Sequence, residues 1–375
     1  MSNKNKTGRS IDQLANDKLT SLNINAGIVK PEGISDDKLD IFISKKKRKI
    51  DLEDFLTGIL NGDRVILGRA LTLIESKKKE DNDLSKKIIN RCLPYSGKSI
   101  RIGITGIPGV GKSTFIETFG LYLLEQKKKV AVMAVDPSSN LSGGSLMGDK
   151  TRMDKLSSKN DVFIRPSATS GFLGGVNRAT REAIILCEAA GYDIILVETV
   201  GVGQSEVLVH SMVDFFLLLQ IAGAGDELQG IKKGIMEMAD AIAVSKSDGD
   251  NVIKADLCKQ ELENATHYSL NFDPDWQVPV IAISSYENKG IDELWKIIIK
   301  HHSIMNSNGK FQNKRKYQLE QWLKTTITQT LENIFYNSTE VQQVLSSVKK
   351  DVIESKISPI AAAEKLINIL TKDTI

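Results

Sequence analysis

A glycine-rich octapeptide carries the strongest chemical signal in this sequence of 375 residues. It matches the pattern G-x-x-x-x-G-K-[ST] at every position, with an apolar run before it and a helical run after it. Its members are Gly106, Ile107, Pro108, Gly109, Val110, Gly111, Lys112 and Ser113. The glycines let successive backbone N–H groups turn inward around an anion, and the following helix adds the positive end of its dipole. The octapeptide therefore predicts a phosphate-binding loop.

The side chains at the end of this loop suit a nucleoside triphosphate with magnesium. Lys112 places a cation against the β- and γ-phosphates, and the Ser113 hydroxyl suits a Mg²⁺ ligand. Thr114 is placed to contact an α-phosphate. We therefore expect a nucleotide and a metal ion at the same loop.

Two carboxylates follow apolar runs that are typical of strands. Asp136 follows one such run and Glu198 ends another, so both are expected at the edge of the sheet where the phosphates bind. The segment from Glu198 to Gly201 resembles the D-x-x-G element of GTPases, with Glu in place of Asp. We expect Glu198 and Asp136 to support Mg²⁺, and the Gly201 N–H to meet the γ-phosphate.

A third strand-like run leads into a candidate base-reading segment. Ser245, Lys246 and Asp248 stand where GTPases carry N-K-x-D, so Ser245 replaces the usual Asn. A carboxylate at Asp248 accepts hydrogen bonds from guanine N1–H and the exocyclic amine, whereas adenine presents the opposite polarity there. This favours GTP and GDP over adenine nucleotides. Three further residues would complete the base pocket: Ser284, Ser285 and Tyr286.

Short apolar runs alternate with amphipathic ones around these residues, and that alternation predicts an α/β fold with a doubly wound, mostly parallel sheet. The candidate strands are 102–105, 130–135, 162–164, 194–197, 215–221, 241–244 and 278–283. The candidate helices between them are 112–126, 177–190, 228–238 and 291–299.

The remaining sequence divides the chain into four segments. Residues 1–50 are polar and predict a flexible segment, and residues 51–97 predict a helical extension with a turn at Asn61–Asp63. Residues 98–305 hold the nucleotide-binding domain. Residues 310–375 predict helices with breaks at Asn337–Ser338 and Ser358–Pro359, whose apolar stripe requires a cover.

Charge and hydropathy argue against nucleic acid and membranes as partners. The 50 Lys and Arg against 47 Asp and Glu leave a net charge of +3, which provides no bulk attraction for nucleic acid. No apolar run reaches the length of a membrane span. Three widely spaced cysteines and a start without an apolar signal region favour a cytoplasmic protein. The four histidines lack metal-ligand spacing.

Four motifs together resemble the MeaB/ArgK family of GTPases associated with methylmalonyl-CoA mutase. They read GIPGVGKST, VDPSSNLSGGSLMGDKTRM, ETVGVGQSE and AGAGDELQGIKKGIMEMAD. The resemblance implies a P-loop GTPase domain of the SIMIBI type, a helical N-terminal extension and a C-terminal helical arm that forms a homodimer. It also implies that Asp149 joins Ser113, Asp136 and Glu198 in the magnesium and switch apparatus, and that 223–233 is a mobile loop.

The function implied by this resemblance is a GTP-hydrolysing chaperone. Such a protein gates adenosylcobalamin loading into a cobalamin-dependent acyl-CoA mutase and protects that enzyme. Two alternatives remain open, because every phosphate-binding element serves either reaction: an ArgK-like P-loop protein kinase that acts on a transport binding protein, and a nucleotide-regulated scaffold with little turnover. Gln204 lies three residues beyond Gly201, so we assign it no role in positioning the attacking water.

Overall fold

The structure is a computed structural model that describes residues 50–76, 78–135, 153–166, 173–199, 205–223, 234–267 and 274–372. Its centre is a sheet of seven strands. Their bounds are β1 Ile100–Gly106, β2 Val130–Val135, β3 Val162–Pro166, β4 Ile194–Thr199, β5 Phe215–Ile221, β6 Ala241–Ser245 and β7 Val280–Ala282. The order across the sheet is β3-β2-β4-β1-β5-β6-β7, and all six pairings are parallel. This confirms the predicted strands and the doubly wound α/β fold.

Helices cover both faces of this sheet and extend beyond it. The extension contains α1 Leu52–Leu60, α2 Arg64–Glu75 and α3 Lys79–Cys92. The helices between strands are α4 Lys112–Glu125, α5 Asp154–Ser157, α6 Leu173–Ala189, α7 Ser205–His210 and α8 Val252–His267. The last four helices are α9 Ile291–Ser307, α10 Lys310–Asn337, α11 Thr339–Ile353 and α12 Pro359–Lys372. Residues 234–238 are also helical. No helix in the described ranges is long and apolar enough to cross a membrane.

The sheet is apolar because it is buried on both faces. Six of the seven residues of β5 are buried, Ile221 being the exception, and all six residues of β4 are buried. On one face, Phe115 and Phe119 of α4 stack with ring centroids 5.4 Å apart. They belong to a cluster that joins β1, β2, β5 and α9 into the main core. Burying this surface fixes the strands that carry the predicted site residues.

Turn and capping residues define the outer helices. Asp51 forms a capping box with Asp54 at the start of α1, and the Asp63 carboxylate accepts from the N–H groups of Val65 and Ile66 at the start of α2. At the other end, the Ser338 hydroxyl accepts from the Val341 N–H at 3.2 Å and caps α11. The predicted turn at Asn61–Asp63 and the break at Ser338 therefore follow from local hydrogen bonds.

Helix α10 is attached to the sheet by a buried ion pair. The Arg315 guanidinium donates to both carboxylate oxygens of Asp214, at 2.8 and 2.6 Å, and also to the carbonyl oxygen of Ser99 at 2.7 Å. Only 4% of the Asp214 side chain is exposed. Farther along, α11 and α12 pack on each other through a small separate core that includes Val341, Val348 and Leu366.

Candidate functional site

The glycine-rich loop connects the carboxyl end of β1 to the amino end of α4. Gly106 has φ +151°, and a Cβ there would lie 2.5 Å from the Leu219 carbonyl oxygen, so only glycine fits against β5. Gly111 has φ +101° and immediately precedes α4. The loop therefore presents its backbone at the edge of the sheet, next to the positive end of the α4 dipole.

Lys112 reaches back over the loop from the first turn of α4. Its ammonium donates to the carbonyl oxygens of Gly106 at 2.7 Å and Ile107 at 3.2 Å. Burial lowers the pKa of Lys112 from its usual value, and the charges of Glu198 and Glu206 oppose that shift. A cation held at this depth favours an anionic ligand that can replace the loop carbonyls as its acceptor.

Ser113 and Glu198 meet across the gap between α4 and β4. The Ser113 hydroxyl lies 3.3 Å from Oε1 of Glu198, because β4 pairs with β1 and places Glu198 beside Ile104. The Glu198 residue is 8% exposed. Next to it, the Thr199 hydroxyl donates to the Thr105 hydroxyl at 2.9 Å and ties the two strand ends together. A hydroxyl and a carboxylate at this distance are oxygen donors of the kind that Mg²⁺ prefers.

The segment after β6 lies against the phosphate-binding loop. The Ser245 hydroxyl is 2.8 Å from the Val110 carbonyl oxygen and 3.0 Å from the Gln220 carbonyl oxygen. Lys246 has φ +57°, and its stem passes over Gly111, where an added Cβ would lie 4.0 Å from the lysine Cε. Ser245 thus connects the base-reading segment to the loop, a contact between residues 135 positions apart that the sequence pattern did not reveal.

The predicted base pocket brings residues from two loops together. Oδ2 of Asp248 accepts from the Ser284 hydroxyl at 2.5 Å, and that hydroxyl accepts from the Glu287 N–H at 3.0 Å. The Ser285 carbonyl oxygen accepts from the Thr118 hydroxyl of α4 at 3.0 Å. Tyr286 is 90% exposed. The carboxylate that would read the base is therefore oriented by a neighbour on the loop after β7.

Several predicted residues lie outside the described ranges. They are Asp136, Asp149 and Gly201, together with residues 1–49 and 224–233. Of the loop residues, Ile107 is half-buried, Pro108, Gly109 and Thr114 are exposed, and Val110 is buried. The structure therefore brings together the loop, Lys112, Ser113, Glu198, Asp248 and Ser284 at one end of the sheet.

Comparisons with known proteins agree with this arrangement. Residues 67–340 match the family model described as methylmalonyl Co-A mutase-associated GTPase MeaB. The GTPase ArgK of Escherichia coli is 44% identical over 309 residues, which cover 81% of this chain and 93% of the relative. The mitochondrial methylmalonic aciduria type A homolog of Mus musculus is 42% identical over 346 residues, covering 90% of this chain and 81% of the relative.

A solved structure of a related protein has the same fold. The crystal structure of an LAO/AO transport system kinase superposes with a TM-score of 0.68 at 37% sequence identity, and the match covers 85% of this chain and 97% of that one. With this glycine-rich loop at the sheet edge, a match to the family model over residues 67–340 and relatives named as GTPases, the chain belongs to the MeaB family and is a GTPase, an enzyme that hydrolyses GTP.

Proposed function

We propose that this GTPase is a chaperone of a cobalamin-dependent acyl-CoA mutase of the methylmalonyl-CoA type. It gates the loading of adenosylcobalamin into the mutase and protects the loaded enzyme, with GTP hydrolysis as the timing signal. The observation that carries this proposal is the match of residues 67–340 to a family described as methylmalonyl-CoA mutase-associated. The mouse relative, named for methylmalonic aciduria, supports the same link.

The nucleotide site of this proposal uses the contacts described above. The backbone of Gly106–Gly111 and the amino end of α4 bind the phosphates, and Lys112 exchanges its carbonyl acceptors for phosphate oxygens. Asp248, held by Ser284, selects guanine. Catalysis by such a site consists of positioning and electrostatic stabilisation of the transferring phosphoryl group.

The proposed cofactor is Mg²⁺, and its ligands come from several elements. The Ser113 hydroxyl and the Glu198 carboxylate fit a hard cation, since their oxygens already lie 3.3 Å apart. We propose Asp136 and Asp149 as the other acidic contributors. The ion would neutralise charge on the phosphates.

In the sequence, Gly201 is followed by Val202, and a glutamine comes only at position 204. We infer slow hydrolysis by the chain alone and acceleration when the mutase is bound, because Gln204 is displaced from the position that orients water in small signalling GTPases. The switch residues in 223–233 would connect the nucleotide state to the partner.

We further propose a homodimer formed through the C-terminal helices. Exposed apolar side chains recur every three or four residues along α10: Leu319, Leu323, Ile327, Leu331 and Ile334, each at least half exposed. A groove of about 790 Å³ between α10, α11 and α12 continues this surface. A second copy of the arm supplies a matching apolar stripe of the same length.

The cytoplasm is the compartment we propose, with no nucleic-acid or membrane partner. All three cysteines lie in the described ranges and are free thiols, which suits a reducing environment.

The kinase alternative has no support. The relative that carries the ArgK name is called a GTPase, and the family model describes a GTPase. The word kinase belongs to the name of the related solved structure and describes that protein. If the purified chain were incubated with γ-³²P-labelled GTP and a protein acceptor, we expect free phosphate; label on the acceptor with little free phosphate would favour a kinase.

The test of the proposal is a cobalamin-loading assay. Apo-mutase is mixed with adenosylcobalamin and this chain, and loading is followed by the cobalamin absorption spectrum in the presence of GTP or GDP. Loading should depend on which nucleotide is present, and that dependence should vanish for Lys112→Ala. The matched control is Lys87→Ala, an exposed lysine of α3. Identical loading with GTP, GDP and no nucleotide would contradict the proposal.

A further inference from the structure

A cavity of about 290 Å³ lies where the segment after α3, helix α6 and the first turns of α10 meet. Arg101 near the start of β1 and Met212 before β5 line it, so it lies at the amino ends of the strands. The phosphate-binding loop follows the carboxyl end of β1. The cavity and the nucleotide site are therefore at opposite ends of the sheet.

Every charged side chain that lines this cavity within the described ranges is a guanidinium: Arg101, Arg181 and Arg315. Two carboxylates hold the first and last of these arginines. Glu188 accepts from Nε and a terminal nitrogen of Arg101, both at 2.9 Å, and Asp214 accepts the fork of Arg315. These acids orient the two arginines and balance their charges, but they do not line the cavity, so the charged groups on its surface within the described ranges are guanidinium groups.

Arg181 is the most deeply buried of the three, with 7% exposed. One terminal nitrogen lies 2.8 Å from both the carbonyl oxygen and the hydroxyl of Ser211, and its guanidinium carbon is 5.7 Å from the centre of the Trp322 ring. Burial, followed by the charge of Arg101, lowers the pKa of Arg181 to about 10. An anion beside these guanidinium groups would offset both effects.

Besides the arginines, the wall has the polar residues Ser96 and Gln318 and the backbone of Gly97, and its larger part is apolar. This apolar part consists of Leu93, Ile184, Ile185, Met212, Leu319 and the Trp322 ring. A volume of about 290 Å³ holds on the order of ten non-hydrogen atoms, because one water occupies about 30 Å³ in the liquid. Inorganic phosphate would match the arginines but would leave this apolar wall against water. A carboxylate with a short hydrocarbon body matches both.

We propose that this cavity binds a small organic carboxylate, with its charged group at the arginine wall and its apolar body between α6 and Trp322. The ligand would contact α6, α10 and the segment after α3 at once. Because it binds only the folded arrangement, it stabilises the attachment of α10 to the sheet. The site is independent of the proposed mutase function.

The test uses 4-fluorobenzoate and its neutral isostere 4-fluorobenzamide, whose ¹⁹F line widths report weak binding. The full chain is saturated with GDP and Mg²⁺, so that the phosphate-binding loop is occupied. We expect broadening for the carboxylate and at least about tenfold weaker binding for the amide, since the difference is one charge-assisted contact. The carboxylate should also raise the thermal unfolding midpoint.

Variants locate the binding in this cavity. Arg181→Met should weaken the binding of 4-fluorobenzoate by at least about tenfold. Arg181→Lys keeps the cation and should lose less of that affinity. Ile184→Phe fills part of the cavity volume and should therefore weaken the binding of 4-fluorobenzoate. GDP affinity should stay unchanged in each variant, which also shows that the variant folds. Equal binding of the amide, no broadening at millimolar concentration, or undiminished binding in both Arg181→Met and Ile184→Phe would overturn the proposal.

Discussion

Ser245 shows how a single substitution is accommodated at the nucleotide site. Serine stands at position 245 where GTPases carry the Asn of N-K-x-D. In the structure its hydroxyl lies within hydrogen-bonding distance of the carbonyl oxygens of Val110 and Gln220, so the end of β6 remains tied to the loop and to β5. The small side chain therefore still connects the segment after β6 to the glycine-rich loop.

Asp248 is the residue that we propose selects guanine. Guanine offers two donors, N1–H and the exocyclic amine, and Asn replaces one of the two acceptor oxygens of Asp by an amide N–H, which suits the 2-oxo group of xanthine instead. We expect Asp248→Asn to weaken the binding of GTP by about 100-fold or more and to strengthen the binding of xanthosine triphosphate. Titration of fluorescent nucleotides measures both affinities. The exposed neighbour Asp250→Asn should change neither, and unchanged GTP affinity in Asp248→Asn would contradict this assignment.

Sequence patterns predicted those strands and helices whose positions follow from the local spacing of apolar residues. All seven strands were found because strands covered on both faces are apolar throughout. Helix α8 was missed: its apolar residues form no single stripe, and Ile253 is 75% exposed while Leu257 is 56% exposed. The polar helix α3 was not separated from the rest of the extension. The attachment of α10 was also missed, because Arg315 and Asp214 are 101 positions apart.

This attachment can be tested through its buried carboxylate. Arg315→Met leaves Asp214 with its charge buried and without its bidentate partner, and should lower the free energy of unfolding by about 3–5 kcal/mol. Urea denaturation followed by circular dichroism measures the change. Lys296→Met removes an exposed pair with Asp292 and should have little effect. An equal loss of unfolding free energy in the two variants would show that the buried Arg315 pair stabilises the fold no more than the exposed Lys296 pair does.

The apolar stripe of α10 leads to a prediction about assembly. Ile327→Asp and Leu331→Asp place charges in the proposed contact between two arms, so we expect a dimer for the unchanged chain and a monomer for the double variant. Multi-angle light scattering at micromolar concentration measures the mass. Lys324→Asp changes charge on the same helix and serves as the control. A monomeric unchanged chain would eliminate the proposed arm contact.

Three histidines outside the nucleotide site should make the stability of the whole molecule depend on pH. Burial is the largest cause of the lowered pKa of His210, His301 and His302. His301 packs edge-on between Trp276 and Phe215, with ring centroids 4.8 and 5.1 Å away, near Asp240 and Lys314. Between the lowered pKa values and about 6.5, the unfolded chain binds more protons than the folded one.

Stability should therefore fall as pH drops below about 6.5. Thermal unfolding between pH 7.5 and 5.5 measures this loss. His301→Phe keeps an aromatic ring and removes the titrating group, so its midpoint should fall less across the same range. An unchanged pH dependence in this variant would show that His301 does not contribute.

The proposed chaperone function requires that the nucleotide state of this chain controls its contact with a cobalamin-dependent acyl-CoA mutase. The most direct measurement is capture of purified mutase on the immobilised chain, loaded in parallel with a non-hydrolysable GTP analogue or with GDP. We expect capture to differ clearly between the two states and to be independent of the nucleotide in Lys112→Ala. Negligible capture in both states, or equal capture in both, would contradict it.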